Sequence, residues 1–332
     1  MNPQKLIPIL CVASIAGWAD NNASLRGPVT GYVFDPQTQV IRPMVGFPGA
    51  AYMGTPLVTM LQAASVSPDG SAVLAMQGGR LTLYRGLGTA SLTVVPVNGA
   101  IAADYFAWNT SSAAVALYSS ATKQAQVLSN LLASVSSSVA IDLSGLAGQV
   151  TAMAFDGKRI ILAAVSSGTG GIYVATTQSS PQPVASAVSP LAIVLAGADL
   201  YFADKQAQQI WQVRSYATQP APVLFAADAG ISSPTALQLS SDGGRLYVAN
   251  AGSRTLGVYD VAVRAPLQSL TLNFTPTTLD RFGDPSVFLL NSGDRGNEPF
   301  YVLSDKLDRR AVYFVPRAAG VGRRRLFHYK PL

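Results

Sequence analysis

The fold is decided by one segment, Ser240-Ser241-Asp242-Gly243-Gly244-Arg245-Leu246-Tyr247-Val248-Ala249-Asn250, which continues into Thr255-Leu256-Gly257-Val258-Tyr259-Asp260. The Asp-Gly pair supplies the positive φ angles that a two-residue hairpin turn requires. Leu246 and Val248 alternate with Tyr247 and Ala249, as successive residues of a strand do. The segment therefore predicts three short strands joined by tight turns.

The same pattern recurs along the chain at a fixed spacing. Asp69, Asp156 and Asp242 each precede a glycine and then an apolar strand, and they are separated by 87 and 86 residues, each about twice 43. A period near 43 is the length of one four-stranded propeller blade. Four more positions on this grid carry a turn followed by an apolar run, at 26–34, 109–118, 197–202 and 283–290. These positions predict an all-β single β-propeller of about seven four-stranded blades, with six or eight as alternatives.

A family resemblance rests on the segment quoted first. Tyr247-Val248-Ala249-Asn250 and the strand at 255–260 resemble the repeat of YVTN-type β-propellers, and Ser67-Pro68-Asp69-Gly70 resembles the turn that opens such repeats. The resemblance is strongest at 232–272 and implies a fold more than an activity. Members of such families include surface proteins, lactonase-like enzymes and exported proteins of unassigned role. The Ala-, Arg- and Gly-rich composition is typical of a bacterial protein.

The N-terminus resembles an export signal. Lys5 precedes an apolar stretch from Leu6 to Trp18, and the small residues Ala16 and Ala19 fit a cleavage site. We therefore expect residues 1–19 to be a signal peptide and residues 26–332 to form the propeller. The mature chain would then be periplasmic or extracellular, without a transmembrane segment. An N-terminal strand, an uncleaved anchor or a lipoprotein signal at Cys11 are the alternatives.

Charge and cysteine content exclude several classes of protein. The net charge is +6, but the stretch from Lys306 onward sums to +7 and residues 1–305 sum to −1. This near-neutral body with a basic tail does not form a nucleic-acid-binding face, and we expect no nucleic-acid partner. Cys11 is the only cysteine, which excludes a disulfide framework and a cysteine-based metal site. We expect a monomer.

Few reactive side chains are available for chemistry. His328 is the only histidine and lies four residues from the end, so a Ser-His-Asp triad is not expected. No phosphate-binding loop or dinucleotide motif occurs, so no cofactor is expected. The oxygen-rich stretch 291–298 is a candidate cation site, with a polar loop as the alternative. Its candidate ligands are Asn291, Asp294, Asn297 and Glu298, and the candidate anion-binding residues are Arg323, Arg324 and Arg325.

Two functions remain. The first is a non-catalytic binding or scaffold protein whose partner is a protein, a peptide or a polysaccharide. The second is a lactonase-like metal-dependent hydrolase, which the near absence of His and Glu disfavours, since Glu298 is the only glutamate. Convergent carboxylates in the central channel would favour the enzyme, whereas an apolar lining would favour the binding protein.

The ends of the chain predict how the ring closes. The N-terminal segment holds strands at Val29–Asp35 and Gln39–Val45, but it lacks the innermost strand that should precede the turn at Arg26-Gly27. One period after the turn near 285, residues Arg323 to Tyr329 end in an apolar, aromatic run. We therefore expect this C-terminal strand to complete the N-terminal blade. A basic tail that contacts nothing is the alternative.

Overall fold

The computed structural model describes residues 27–89, 91–294, 296, 298–306 and 309–317. Within these residues all regular structure is β-strand, arranged as seven antiparallel sheets. The seven sheets are the blades of a single β-propeller, and this confirms the predicted fold and blade number. The part of the chain that is described contains no helix long and apolar enough to cross a membrane.

The strands pair in chain order within each blade, except that in blade 3 both of the last two strands pair with the third, and the chain completes one blade before it enters the next. Blade 1 consists of β1 (Val29–Asp35), β2 (Val40–Val45) and β3 (Tyr52–Met53). Blade 2 consists of β4 (Ala63–Val66), β5 (Ala72–Gln77), β6 (Arg80–Arg85) and β7 (Thr93–Pro96). Blade 3 consists of β8 (Tyr105–Trp108), β9 (Val115–Ser119), β10 (Gln124–Ser129), β11 (Ser136–Ser137) and β12 (Ile141–Asp142). Blade 4 consists of β13 (Gln149–Phe155), β14 (Ile160–Ser166), β15 (Thr169–Thr176) and β16 (Ser179–Ala187). Blade 5 consists of β17 (Pro190–Ala196), β18 (Asp199–Asp204), β19 (Gln209–Arg214) and β20 (Ala221–Ala226). Blade 6 consists of β21 (Pro234–Leu239), β22 (Arg245–Asn250), β23 (Thr255–Asp260) and β24 (Ala265–Thr271). Blade 7 consists of β25 (Asp280–Phe282), β26 (Asp284–Leu289), β27 (Phe300–Lys306) and β28 (Arg309–Val315).

The core lies between neighbouring blades. Leu246 and Val248 of β22 pack towards blade 5, whereas Tyr247 and Ala249 pack towards blade 7. All four side chains are fully buried, because a second strand of a blade is covered on both faces. Outer strands such as β24 are largely exposed. The second strands are therefore continuous apolar runs.

The Asp-Gly turns differ in detail from the two-residue hairpin that the sequence suggests. β21 ends at Leu239 and β22 begins at Arg245, so the loop is longer, and within it only Gly243 has a positive φ (72°). The Ser240 hydroxyl donates to Asp242 Oδ1 (2.5 Å) and accepts from the Arg245 N–H (2.9 Å). The Ser240 N–H still donates to the Arg245 carbonyl (2.9 Å), so the serine hydroxyl takes the place of the backbone only as the acceptor for the Arg245 N–H.

Blade 1 has three strands among the described residues, and β1 stands in the position of a second strand. Val29 and Ala72, the first residues of β1 and of the second strand β5, are 43 residues apart. The turn glycine Gly283 of blade 7 lies against Thr30, near the start of β1. Asp35, at the other end of β1, pairs with Arg317 beyond the last strand of blade 7 (2.7 Å). β1 therefore runs opposite to the innermost strand β25, as a second strand does.

Several predictions fall on residues outside the described part of the chain. These are the signal peptide at 1–19 with Cys11, Asn297 of the candidate cation site, the candidate anion-binding residues Arg323, Arg324 and Arg325, and His328. The closing strand predicted at 323–329 also lies there. Each of these stays a prediction.

Candidate functional site

The central channel of the ring is a cavity with a volume of about 820 Å³. In blades 2 to 7 its wall is formed mainly by the innermost strands and by the turns that follow them. In blade 1 the wall is formed by Tyr32, Val33 and Phe34 of β1. The channel thus places one short segment from every blade around a common axis.

The channel wall is mainly apolar and aromatic. Its largest apolar side chains are Tyr32, Phe34, Phe106, Trp108, Met153, Phe155 and Phe282. The Trp108 indole N–H donates to Ser65 Oγ (2.9 Å), so its polar atom is satisfied within the wall. Such a lining has few groups able to transfer protons or to stabilise developing charge.

Two charged neighbours on β25 interrupt this wall. Desolvation by the surrounding protein raises the pKa of Asp280 above its usual value, although its side chain remains accessible from the channel. Arg281 donates to the carbonyls of Pro285 (2.7 Å) and Leu239 (3.0 Å), and its guanidinium lies 5.7 Å from the centre of the Phe288 ring. Arg281 is thus occupied by the fold, whereas Asp280 forms no ion pair with any described residue.

A second cavity of about 500 Å³ lies between blades 4 and 5, on the face of the ring that carries the Asp-Gly turns. It is lined by the turn at 156–159, by Gly197 and Ala198, and by the turn at 215–218. Lys158 is exposed at its edge and forms no ion pair with any residue that the structure describes. We call this cavity the blade 4–5 groove.

Asp156 organises the blade 4–5 groove. Its carboxylate accepts hydrogen bonds from the backbone N–H groups of Lys158 (2.7 Å) and Arg159 (2.6 Å) and from the Tyr216 hydroxyl (2.8 Å), and it pairs with the Arg159 guanidinium (3.0 Å). Burial alone would raise the pKa of Asp156, but these donors outweigh it and lower the pKa. Burial, followed by the bond to Asp156, raises the pKa of Tyr216. Asp156 is therefore held ionised, and the groove keeps one net positive charge.

The candidate cation loop at 291–298 is built around an internal cation. Both amide atoms of Asn291 are used by the chain, with Pro299 and Tyr301 as partners (2.9 Å each). The Arg317 guanidinium donates hydrogen bonds to the backbone carbonyls of Glu298 (2.8 Å) and Gly293. The side chain of Asp294 accepts from Ser292 (2.5 Å). Two backbone carbonyls of this loop thus bind Arg317. No three His, Cys, Asp or Glu side chains of the described chain form a group suited to a metal ion.

Sequence reasoning missed the two groups that stand out in the structure. The sequence predicts only a turn at Asp156, Lys158 and Arg159. The partner of Asp156, Tyr216, is 60 residues away and lies in the next blade. Asp280 lies on a strand of three residues, Asp-Arg-Phe, which carries no strand signal. The blade period could have placed Asp156 at a turn and Asp280 just before the turn of blade 7, but it could not have given their side chains a role.

Comparisons with known proteins support the fold and leave the activity open. No family model and no curated protein matches the chain. A solved protein from Lactobacillus plantarum is similar with a TM-score of 0.62 at 14% identity, over 87% of this chain and 96% of the other. A candidate 6-phosphogluconolactonase from Bacteroides fragilis gives 0.58 at 12% identity, over 86% and 92%. Hsv2 from Kluyveromyces lactis gives 0.52 at 11% identity, over 73% of each chain.

These likenesses, together with the seven sheets, define the class of the chain as a seven-bladed β-propeller. At identities of 11–14% they carry the fold alone, because one propeller fold hosts many activities.

Proposed function

We propose that this chain is a non-catalytic binding protein built on a YVTN-type propeller. The observation that carries the proposal is the mainly apolar channel wall, whose carboxylates among the described residues are Asp280 on β25 and Asp242 in the turn after β21. A hydrolytic site needs several convergent groups to activate water and stabilise charge. The channel wall lacks such a set of groups, which favours binding over hydrolysis.

The binding site of the proposed function is the blade 4–5 groove. It has one net positive charge, the exposed ammonium of Lys158, and hydroxyls of Ser215 and Thr218 in its wall. Cations and hydroxyls together bind carboxylates through charge-assisted hydrogen bonds. The ligand of the proposed function is therefore a carboxylate-bearing chain.

The test measures binding of polygalacturonate and of poly-glutamate at low and high salt. Lys158→Glu should weaken binding about tenfold, because it reverses the exposed charge of the groove, and high salt should weaken the wild type. Lys205→Glu is the matched control, since Lys205 is an exposed lysine in the turn between β18 and β19, on the opposite face. Equal effects of the two variants, or no binding of either polymer, would contradict the proposal that the blade 4–5 groove is the binding site. The better polymer distinguishes a saccharide from a peptide ligand.

The lactonase-like alternative has its own test. Purified protein should not hydrolyse a panel of lactones and esters when Zn²⁺, Ca²⁺ or Mg²⁺ is added. A hydrolysis rate that Asp280→Asn abolishes, while Asp142→Asn leaves it intact, would establish the hydrolase and overturn the binding proposal.

The proposed location is outside the cytoplasm of a bacterium. It is supported by the apolar run after Lys5 and the small residues near 16–19. Mass spectrometry of exported protein should find an N-terminus between Gly17 and Asn21. Mature material that keeps Met1 would contradict export by cleavage.

A further inference from the structure

An asparagine followed by a glycine lies in the segment that joins blades 2 and 3. Asn98 and Gly99 form an exposed turn between β7 and β8, and Gly99 has a positive φ of 73°. Asn98 is the only asparagine in the sequence that a glycine follows. Because glycine has no Cβ, the backbone nitrogen after Asn98 is open to approach by the asparagine side chain.

Neither of the two groups that would react is held in place by the fold. Within the described part of the chain, the Asn98 side chain and the Gly99 N–H form no hydrogen bond. By contrast, the side-chain amides of Asn109, Asn250 and Asn291 are each hydrogen-bonded to the chain. The Asn98 amide is therefore free to rotate towards the Gly99 nitrogen.

The three Asp-Gly pairs at the opening turns of the blades are held differently. The carboxylates of Asp69, Asp156 and Asp242 each accept a hydrogen bond from the backbone N–H two residues further on, at 3.0, 2.7 and 3.0 Å. An ionised carboxylate is a poor electrophile, and attack on it would also break these hydrogen bonds. The described structure thus leaves Asn98 as the reactive side chain among those that precede a glycine in this way.

The turn is anchored to a different blade on each side. Before it, the N–H of the buried Val97 donates to the Leu81 carbonyl of blade 2 (3.0 Å). After it, the buried side chain of Gln126 in blade 3 donates to the Gly99 carbonyl (3.1 Å) and accepts from the Ile101 N–H (3.0 Å). The length of backbone between these anchors is therefore matched to the junction of the two blades.

We propose that Asn98-Gly99 is a site of spontaneous deamidation in the folded protein. The Gly99 nitrogen attacks Asn98 Cγ and a C–N bond forms, while the side-chain nitrogen leaves as ammonia with the proton of the Gly99 N–H. Water then opens the cyclic imide. Cleavage of the bond between this nitrogen and Cγ gives aspartate, whereas cleavage of its bond to the main-chain carbonyl carbon gives isoaspartate.

The two products affect the junction of blades 2 and 3 differently. Aspartate keeps the backbone and only adds a negative charge to an exposed turn. Isoaspartate routes the main chain through Cβ and Cγ, which adds one carbon between the anchors at Val97 and Gly99. The hydrogen bond from Gln126 to the Gly99 carbonyl is then lost, and a buried N–H is left without this partner. We therefore expect isoaspartate formation to weaken the contact between the two blades.

Incubation of the purified full-length protein at mildly alkaline pH tests the site. Peptide mapping by mass spectrometry follows the conversion of each asparagine to an acid. Asn273 is the internal control, because it is exposed and has no hydrogen bond to the described chain but precedes the bulky Phe274. Conversion should occur mainly at Asn98, and Gly99→Ala should slow it about tenfold, since a Cβ shields the attacking nitrogen. No conversion at Asn98, equal conversion at Asn273, or an unchanged rate in Gly99→Ala would overturn the proposal.

Melting temperatures test the consequence for the fold. Asn98→Asp, which reproduces one product, should melt like the wild type, whereas incubated protein enriched in isoaspartate should melt several degrees lower. Treatment with an isoaspartyl methyltransferase and its methyl donor, which returns isoaspartate to aspartate, should restore the melting temperature. Incubated Asn98→Gln is the matched control and should keep its melting temperature, because its longer side chain disfavours ring closure. Incubated wild-type protein that contains isoaspartate but melts like fresh protein would overturn the predicted loss of the Gln126 anchor.

Discussion

At the scale of single residues, one buried carboxylate joins blades 6 and 7. Asp305 lies 3.1 Å from Arg310 and 3.5 Å from Arg245, and it accepts a hydrogen bond from the Tyr247 hydroxyl. Its side chain is only 5% exposed. The arrangement ties the two neighbouring sheets together, because two arginines and one hydroxyl from two blades converge on one carboxylate.

Removal of this acceptor should be costly. Asp305→Ala leaves Arg310 largely buried without its counter-charge, and we expect it to lower the free energy of unfolding by about 3 kcal/mol. Urea unfolding followed by fluorescence gives the value. Asp142→Ala, at an exposed turn, is the control and should change little. Equal stabilities of the two variants would show that the buried ion pair contributes nothing.

The serine that opens the turns at Asp69 and at Asp242 is a second residue with a measurable role. Ser67 makes the same two bonds as Ser240, with 2.6 Å to Asp69 and 3.0 Å from the Ala72 N–H. Ser67→Ala and Ser240→Ala should each cost about 1–2 kcal/mol, since each leaves a buried N–H without its partner. Thermal melts would compare the two variants. A large effect at only one site would argue against a shared turn.

The aspartates of these turns predict the behaviour in acid. For Asp242 the bond from Ser240, followed by that from the Gly244 N–H, lowers the pKa in the folded state. For Asp69 burial opposes the shift, but the bonds from Ser67 and Ser71 prevail and lower the pKa. Both carboxylates therefore stabilise the folded state at pH values above about 4, the pKa of Asp in the unfolded chain. This stabilisation is lost as the pH falls through the lower pKa values that the two groups have in the folded state. Asp69→Asn with Asp242→Asn should flatten the decline in melting temperature between about pH 5 and 3, and an unchanged slope would contradict this.

At the scale of elements, the second strand of each blade is the most tightly packed. Ala249 in β22 is fully buried and packs towards blade 7. Ala249→Leu should therefore lower the free energy of unfolding by about 2 kcal/mol, because added methyl groups force neighbouring side chains apart. Val263→Leu, at a position 71% exposed, is the control for chemical denaturation. An Ala249→Leu protein as stable as the wild type would reveal unfilled space between the blades.

The lengths of the strands also explain which parts of the fold and of the candidate sites the sequence could predict. The grid set by Asp69, Asp156 and Asp242 predicts the seven second strands, since each is an apolar run after a turn. It predicts the side chains around the channel poorly, because an innermost strand such as β25 has only three residues. The blade 4–5 groove depends on a bond between Asp156 and Tyr216, and a one-dimensional pattern contains no information on that pairing.

At the scale of the whole molecule, the ring is joined where its first and last blades meet. The bond between Arg317 and Asp35 links residues 282 positions apart. Arg317 also lies 5.0 Å from the centre of the Phe300 ring and binds the carbonyl of Glu298. One side chain thus connects blade 7 to the end of β1.

Loss of this connection should weaken the whole ring. Arg317→Ala is expected to lower the free energy of unfolding by about 3 kcal/mol, because the buried carboxylate of Asp35 loses its counter-charge. Arg80→Ala, at an exposed strand end, is the matched control. Urea titration should give a lower midpoint for Arg317→Ala only. An identical midpoint for both variants would show that closure does not depend on this pair.

The position of Trp108 in the channel wall makes its fluorescence a probe of whether the channel is occupied. The other tryptophan of the described chain, Trp211, stacks on Phe202 between blades 4 and 5, away from the channel. In a Trp211→Phe protein lacking Trp18, indole emission would come from the channel alone. Its wavelength would shift as water is displaced from the wall, so occupancy of the channel could be followed by titration without any attached dye.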